Sequence, residues 1–570
     1  MRSSRTALHR TAAHVAPAAA ALLLLTGGLT ACSTDDVDPT ATGTGACAAL
    51  TEYGEFPDGT TVTIATAFTG TEAERFDASV EQFEECTGID IIQNGSDDLE
   101  SLLRQAVDAA TTAPEAADDA EATGKKQTDA ELPDLAVVPQ PGLVGDLARA
   151  GVLVAVPDSV GANVELGWDR AWMEVGSVDG VLYAAPLMAS VKSFIWYSPV
   201  AFAQAGYEVP STWDELVALT ERIAADNATD ADDASGGADG DGKAEEAEAD
   251  DAEKTGDGAE AVVTPWCLGA SDGDATGWVV SDWLEEALLA TDGVGAYDAW
   301  ANHAVALDNA SAVGALDTVG TLLLADGNVP GGGEQAVQTS LEEAGAQLLD
   351  GSCYMLHASS GYENLLPEGA EVVAIDGAPG SGTTTAAGAG ASGSAAPEES
   401  AAAQATASQT SATTGGAVSA FLVPGVVDDD IGAPVIVGGD FLVQLSAGAP
   451  AAGETAENEA GEAAEDGADP EAVEAVMTYL SSAEWAQRRV DLGGVATANR
   501  SVDASQMRSD VARRATLLLQ SRQSVIRFDA SDSMPSEVGT DALWSALTQW
   551  TTGELDSKEA LAQAEAAWPE

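Results

Sequence analysis

The alternation that begins at residue 61 restricts the architecture more than any other feature. Residues 61–66 (TVTIAT) alternate apolar and polar as a strand does, and Thr71-Glu72-Ala73-Glu74 has the spacing of a capping box that opens a helix. Phe76, Val80 and Phe83 share one face of that helix, and Gly88 closes it. Residues 89–93 read as the next strand. Leu99, Leu102, Leu103 and Ala106 mark the next helical face, and Leu135-Ala136-Val137-Val138 is a short buried strand. Strand, helix, strand, helix, strand with apolar runs implies an α/β fold built on a parallel sheet.

Ligands of such sheets bind beyond the carboxyl ends of the strands. The loops there are Ala67-Phe68-Thr69-Gly70, Asn94-Gly95-Ser96-Asp97 and Pro139-Gln140-Pro141-Gly142. They bring together amides, hydroxyls, a carboxylate and an aromatic ring. That set suits a neutral polyhydroxylated ligand, whose hydroxyls bond planar polar groups while a ring packs its apolar face. Phe68, Thr69, Asn94, Asp97 and Gln140 are therefore candidate ligand residues, although Asn94-Gly95 and the Pro-Gln-Pro-Gly run also serve as turn chemistry.

The strand–helix rhythm breaks at 181–199, VLYAAPLMASVKSFIWYSP, where two extended segments meet with no helix between them. The chain is read as leaving a first lobe after 181–185 and entering a second sheet over 192–197. Ser198-Pro199 then opens a helix that ends at Gly206, and Thr212 and Glu215 have capping-box spacing for another.

Arg2, Arg5 and Arg10 precede a short apolar run at 18–25, and Leu29-Thr30-Ala31-Cys32 follows. The run is too short to span a membrane and sits where a secretory signal belongs. L-T-A-C resembles a bacterial lipobox, whose cysteine is lipidated and becomes the mature N-terminus. Cys32 is thus expected to tether an exported chain to the outer face of the cell membrane, in a Gram-positive bacterium. A formal net charge of −72 disfavours nucleic acid and anionic lipid as partners.

The remaining Cys47, Cys86, Cys267 and Cys353 are an even set in an oxidising compartment. Four cysteines allow three connectivities. Pairing neighbours within one lobe favours Cys47 with Cys86 and Cys267 with Cys353. With no CxxC spacing and only four His, no metal or other cofactor is expected.

Four stretches rich in Ala, Gly, Ser, Thr, Asp and Glu, at about 111–130, 228–260, 379–416 and 450–469, carry too little apolar surface to offset ordering entropy. They are read as disordered acidic insertions.

Outside those insertions the chain resembles the bacterial extracellular solute-binding proteins (family 1) of ABC importers, in the cluster that binds oligosaccharides such as maltose and other α-glucosides. The resemblance rests on Cys86-Thr87-Gly88-Ile89, on residues 133–142 (PDLAVVPQPG) and on 179–186 (DGVLYAAP). It continues in Trp196-Tyr197, 210–216 (PSTWDEL), 264–269 (TPWCLG), Gly277-Trp278, Asp282-Trp283 and 534–539 (MPSEVG). It implies a two-lobed, type II periplasmic-binding-protein-like fold, with parallel-rich sheets flanked by helices and lobes that close on ligand by hinge motion.

By that analogy the lobes cross near Ser190-Val191, near Met355-Leu356-His357 and near Gly438-Gly439-Asp440. The expected layout is a leader at 1–31, a tether at 32–59, the first lobe at 60–190 and 356–440, and the second lobe at 191–355 and 441–570. The implied function is capture of a carbohydrate, as a monomer, for ABC permease subunits served by a separate ATPase. The alternatives are a non-sugar solute or a structural surface lipoprotein.

Twelve Trp in a chain with 5% aromatic residues need separate weighing. Trp278 follows a polar loop that includes Asp274, and Tyr362 follows Ser359-Ser360-Gly361. Both are candidates for stacking on a sugar ring, and Asp274 and Asp440 are candidates for bonding its hydroxyls. Trp168 and Trp172, four apart, read as a helical core face, and Trp213, Trp283 and Trp544 as structural. Among 94 acidic residues carboxylate pairs are guaranteed and carry no information about glycoside hydrolysis. No nucleophile elbow, phosphate loop or zinc helix appears, so no catalysis is expected.

Overall fold

Val62 and Ile64 drive their apolar faces into the centre of a sheet that draws on both halves of the chain. The computed structural model describes residues 47–111, 132–235, 263–366, 370–373, 417–425, 434–446 and 468–569. The expected leader, Cys32 and most of the four acidic stretches lie outside these residues. Contacts divide the chain into Met1–Ala48 and Ala49–Glu570, and the architecture below is that of the second unit.

In chain order the strands are β1 (Thr60–Thr66), β2 (Ile89–Gly95), β3 (Leu135–Val138), β4 (Leu153–Val154), the short pair β5 (Ser177–Val178) and β6 (Val181–Leu182), and β7 (Ala184–Val191). They continue with β8 (Phe194–Tyr197), β9 (Thr264–Cys267), β10 (Cys353–His357), β11 (Glu371–Val372), β12 (Ala417–Leu422), β13 (Pro434–Leu445) and β14 (Val525–Phe528). The first sheet runs β14-β13-β3-β1-β2, with β4 and β7 also paired to β13. Its β1 is parallel to β2 and β3, as the alternation implies, whereas β13 runs antiparallel to β3 and β7. The second sheet runs β11-β12-β8-β10-β9. One buried core takes the first sheet and one face of the second (Phe194, Trp196, Leu356), the other takes the opposite face of the second (Ile195, Tyr197, Met355), and the two sheets make the two-lobed α/β fold.

The first helix runs Gly70–Thr87, with Thr69 at its N-cap position and Gly88, at φ 82°, closing it. The expected Thr71–Glu74 capping box does not form. The Glu72 carboxylate, in the first turn, instead accepts a bond from Asn364 Nδ2 at 3.0 Å. The helix Trp213–Ser235 opens with Thr212 Oγ1 accepting from the Glu215 N–H at 3.2 Å, while Glu215 reaches back to the Ser211 N–H at 2.8 Å. This helix continues over 228–235, which the sequence reading placed in a disordered insertion.

The chain passes between sheets at Lys192-Ser193, between β7 and β8. Residues 355–357 lie inside β10 of the second sheet, and Gly438-Gly439-Asp440 lies within β13, paired with Ser190, Ala189 and Met188 of β7. The assignment of 356–440 to the first lobe and 441–570 to the second is corrected accordingly. β12 belongs to the second sheet, β13 and β14 to the first, and the crossing back to the second lobe comes at Asp529. The reason is the apolar run in β13, where Val435, Ile436, Val437, Phe441, Leu442 and Val443 are all buried, as a central strand requires.

Cys267 and Cys353 form a disulfide between the parallel neighbours β9 and β10, with Cα atoms 5.4 Å apart. Cys47 and Cys86 are each disulfide-bonded as well.

Candidate ligand-binding cleft

A cleft of about 260 Å³ opens where the two sheets approach. The first lobe contributes Asp97 and Glu100 after β2, Gln140 after β3, and Ser190 at the end of β7. From β13 come Gly438, Gly439 and Asp440. The second lobe supplies Asp272, Asp274, Trp278, Asp532 and Trp544. An adjoining polar cavity of about 640 Å³ shares Glu100 and Asp274 with it and adds Ser101, Thr540 and Gln549.

Trp278 begins a helix, Trp278–Asp292, whose N-cap Gly277 has φ 110°. A Cβ at Gly277 would lie 2.4 Å from the Trp544 carbonyl oxygen, so only glycine lets the helix start this close to its neighbour. The Trp278 indole N–H donates to Asp272 Oδ2 at 2.7 Å, which fixes the ring. Lys192 Nζ stands 5.4 Å from the ring centroid.

Lys192 occupies the crossing itself. Its ammonium bonds Asp282 Oδ1 at 3.1 Å, Asp532 Oδ2 at 3.0 Å and the Asp529 carboxylate. Burial opposes the charge, but the three carboxylates outweigh it and hold the lysine well above its ordinary value. Asp529 is driven below the usual carboxylate range, because Lys192 and the hydrogen bonds it accepts overcome its burial. Burial, then the neighbouring Asp529 charge, pushes Asp532 up to about 7. Asp440 is raised to about 7 by burial and by Glu72, and Glu286, buried beside the crossing, to about 8 by burial.

These shifts predict a pH dependence. An acid whose folded value is raised holds its proton where the unfolded chain has lost it, so stability falls as pH rises from about 4 to about 8. Asp529 works oppositely below about 4, and His357, which burial lowers to about 3, works oppositely up to about 6.5, one group against the three raised acids. Urea melts at about pH 5, 6.5 and 8.5 are expected to show declining stability, with Asp440→Asn flattening the slope below about 7. A profile that rises over this range would refute the shifts.

Of the residues singled out from sequence, Asp97, Gln140, Asp274, Trp278 and Asp440 line the cleft. The others do not. Phe68 is buried against Phe76, with ring centroids 5.7 Å apart. Thr69 is at the N-cap position of the first helix, and Asn94 is exposed on β2. Tyr362 is 1% exposed, with its ring edge-on to Trp196 at 5.2 Å, and belongs to the core.

Sequence reasoning missed Lys192, Asp272, Glu100, Asp532 and Trp544. Lys192 carried a signal, a single cation in an apolar crossing segment of a very acidic chain. Trp544 is as buried as expected, and its indole N–H bonds Ser281 and Ser531, yet it also lines the cleft. Trp168 and Trp172 pack edge to face in the first core, but a helix end separates them.

The bacterial extracellular solute-binding protein family model matches residues 69–266. Over that stretch the chain is similar to that family. The chain is 27% identical to the osmoprotective compounds-binding protein GgtB of Synechocystis sp., over 89% of this chain and 92% of the relative. It is 26% identical to the alpha-glucosides-binding periplasmic protein AglE of Rhizobium meliloti, over 91% and 90%.

Solved structures share the fold. A chitin oligosaccharide binding protein superposes with TM-score 0.58 at 14% identity, covering 90% of this chain and 98% of that one. RafE in complex with raffinose gives 0.54 at 14%, covering 89% and 98%. Members of that family are solute-binding components of ABC importers. Among the described residues no helix is long and apolar enough to cross a membrane, and no cluster of three or more His, Cys, Asp or Glu could hold a metal ion.

Proposed function

We propose that this protein is a lipid-anchored receptor that captures an α-glucoside or related oligosaccharide by closing its lobes and delivers it to a membrane permease. The observation that carries the reading is the cleft between the lobes, in which an indole ring held by Asp272 stands opposite hydroxyl-bonding groups at Asp97, Gln140 and Asp440. The adjoining polar cavity gives room for a ligand longer than one ring. The name of AglE supports an α-glucoside, and that of GgtB an osmoprotective solute, a class that includes sugars. Lipidation at Cys32 is inferred from L-T-A-C and places the protein on the outer membrane face of a Gram-positive cell.

A ligand that binds only the folded state raises apparent stability by mass action. Thermal-shift measurements on residues 33–570 with maltose, trehalose, sucrose and maltotriose, beside amino acids and polyols, are expected to show stabilisation by one sugar group. Calorimetry should then show Trp278→Ala weakening that sugar by about ten-fold or more. Stabilisation by amino acids alone would overturn the carbohydrate assignment, and an unchanged affinity in the variant would remove Trp278 from the site.

A further inference from the structure

The lining of the cleft is lopsided in charge. Asp97, Glu100, Asp272 and Asp274 face it beside Asp440 and Asp532, which burial leaves partly protonated near neutral pH, and among the described lining residues Lys192 is the sole cation. An ammonium has three N–H donors. Those of Lys192 face three carboxylates, so none remains for an incoming anion. Arg104, in the adjoining cavity, gives its Nε and Nη2 to Glu100 and lies 3.6 Å from Asp541, so its charge is already offset by two acids.

The carboxylates also meet across the mouth. Gly273 of the second lobe stands so close to the first that a Cβ there would lie 2.6 Å from Asp98 Oδ1. Asp97 and Asp98 therefore confront Asp272 and Asp274 as the lobes approach. Burial raises the Asp272 carboxyl, and the charges of Asp97 and Asp98 raise it further, despite its bond from Trp278.

Building on the receptor reading above, we propose that the cleft discriminates by charge: it takes a neutral or amine-bearing hydroxylated solute and rejects the phosphate ester or uronate of the same scaffold. A neutral hydroxyl donates to a carboxylate without adding charge. An amine also relieves the repulsion between the facing aspartates. An anion adds to that repulsion and finds no unengaged cation.

The test is calorimetry on the whole soluble chain with matched probes. These are glucose, trehalose and sucrose, each beside its phosphate ester, with glucosamine and 6-amino-6-deoxytrehalose as amines, and choline beside glycerol 3-phosphate as non-sugar ions. On whichever scaffold binds, the phosphate is expected to be at least about ten-fold weaker than the neutral form, and the amine at least as tight.

Raising salt from about 20 mM to about 500 mM should narrow that gap several-fold, because screening weakens charge rejection and leaves steric rejection intact. Asp97→Asn with Asp274→Asn should narrow it at low salt. A phosphate that binds as tightly as its neutral form, or a gap indifferent to salt and to the double variant, overturns the inference. If sugars are silent and choline binds, the carbohydrate reading falls and charge discrimination stands. If glycerol 3-phosphate binds, or nothing does, charge discrimination falls.

Discussion

Replacing Lys192 with methionine is expected to destabilise the protein by about 3–5 kcal/mol, the range for breaking a buried ion cluster by removing one partner. The lysine is 9% exposed and Asp282, Asp529 and Asp532 are 1%, 1% and 8% exposed, so the variant leaves Asp529, the acid held ionised, buried without its counter-charge beside two acids that burial raises. Methionine keeps the length of the apolar stem, which separates lost charge from lost packing. Urea denaturation at about pH 7.5 measures the loss. The defect should shrink at about pH 5, where stranded acids take up protons, and Asp529→Asn in the same chain should recover part of it. A loss below about 1 kcal/mol at the higher pH would mean that the cluster tolerates the missing charge and that Lys192 does not hold the crossing together.

Replacing Cys267 and Cys353 with serine is expected to cost up to about 4 kcal/mol. The bond closes a loop with a sequence separation of 86, and loop-closure entropy of the unfolded chain rises with that length. Both cysteines are 2% exposed, so the native protein should resist reductant until it unfolds. Comparing melts of the oxidised protein and the double variant checks the size. A difference under about 1 kcal/mol would show that the second lobe is held by packing alone.

The first lobe was legible because its early strands and helices are local. Val62, Ile64, Phe76, Val80 and Phe83 announce their faces by period, and Gly88 marks a helix end by chemistry. The return of the chain was not legible. β12, β13 and β14 read much alike as short apolar runs, and only pairing across hundreds of residues decides that β12 joins β8 while β13 joins β3 and β7.

The cleft divides the same way. Asp97 and Gln140 follow from the rule about strand ends, whereas Asp532 and Trp544 reach it from the far end of the sequence. Phe68 and Tyr362 illustrate a further limit: an aromatic ring in a polar loop has the same spelling whether it faces ligand or fills the core.

The second lobe's apolar centre gathers Ile195, Trp266, Val280 and Leu316 together with Met534, Val538, Leu547 and Leu561. For a chain made from its N-terminus onward, this sets a timetable. Until residues near 560 have emerged, the earlier segments carry apolar faces with nothing to cover them, and the helix Trp278–Asp292 carries buried acids whose lysine-centred cluster lacks Asp529 and Asp532. The second lobe therefore completes its core only when synthesis is nearly finished. Short C-terminal deletions are placed among the most damaging lesions this protein can suffer.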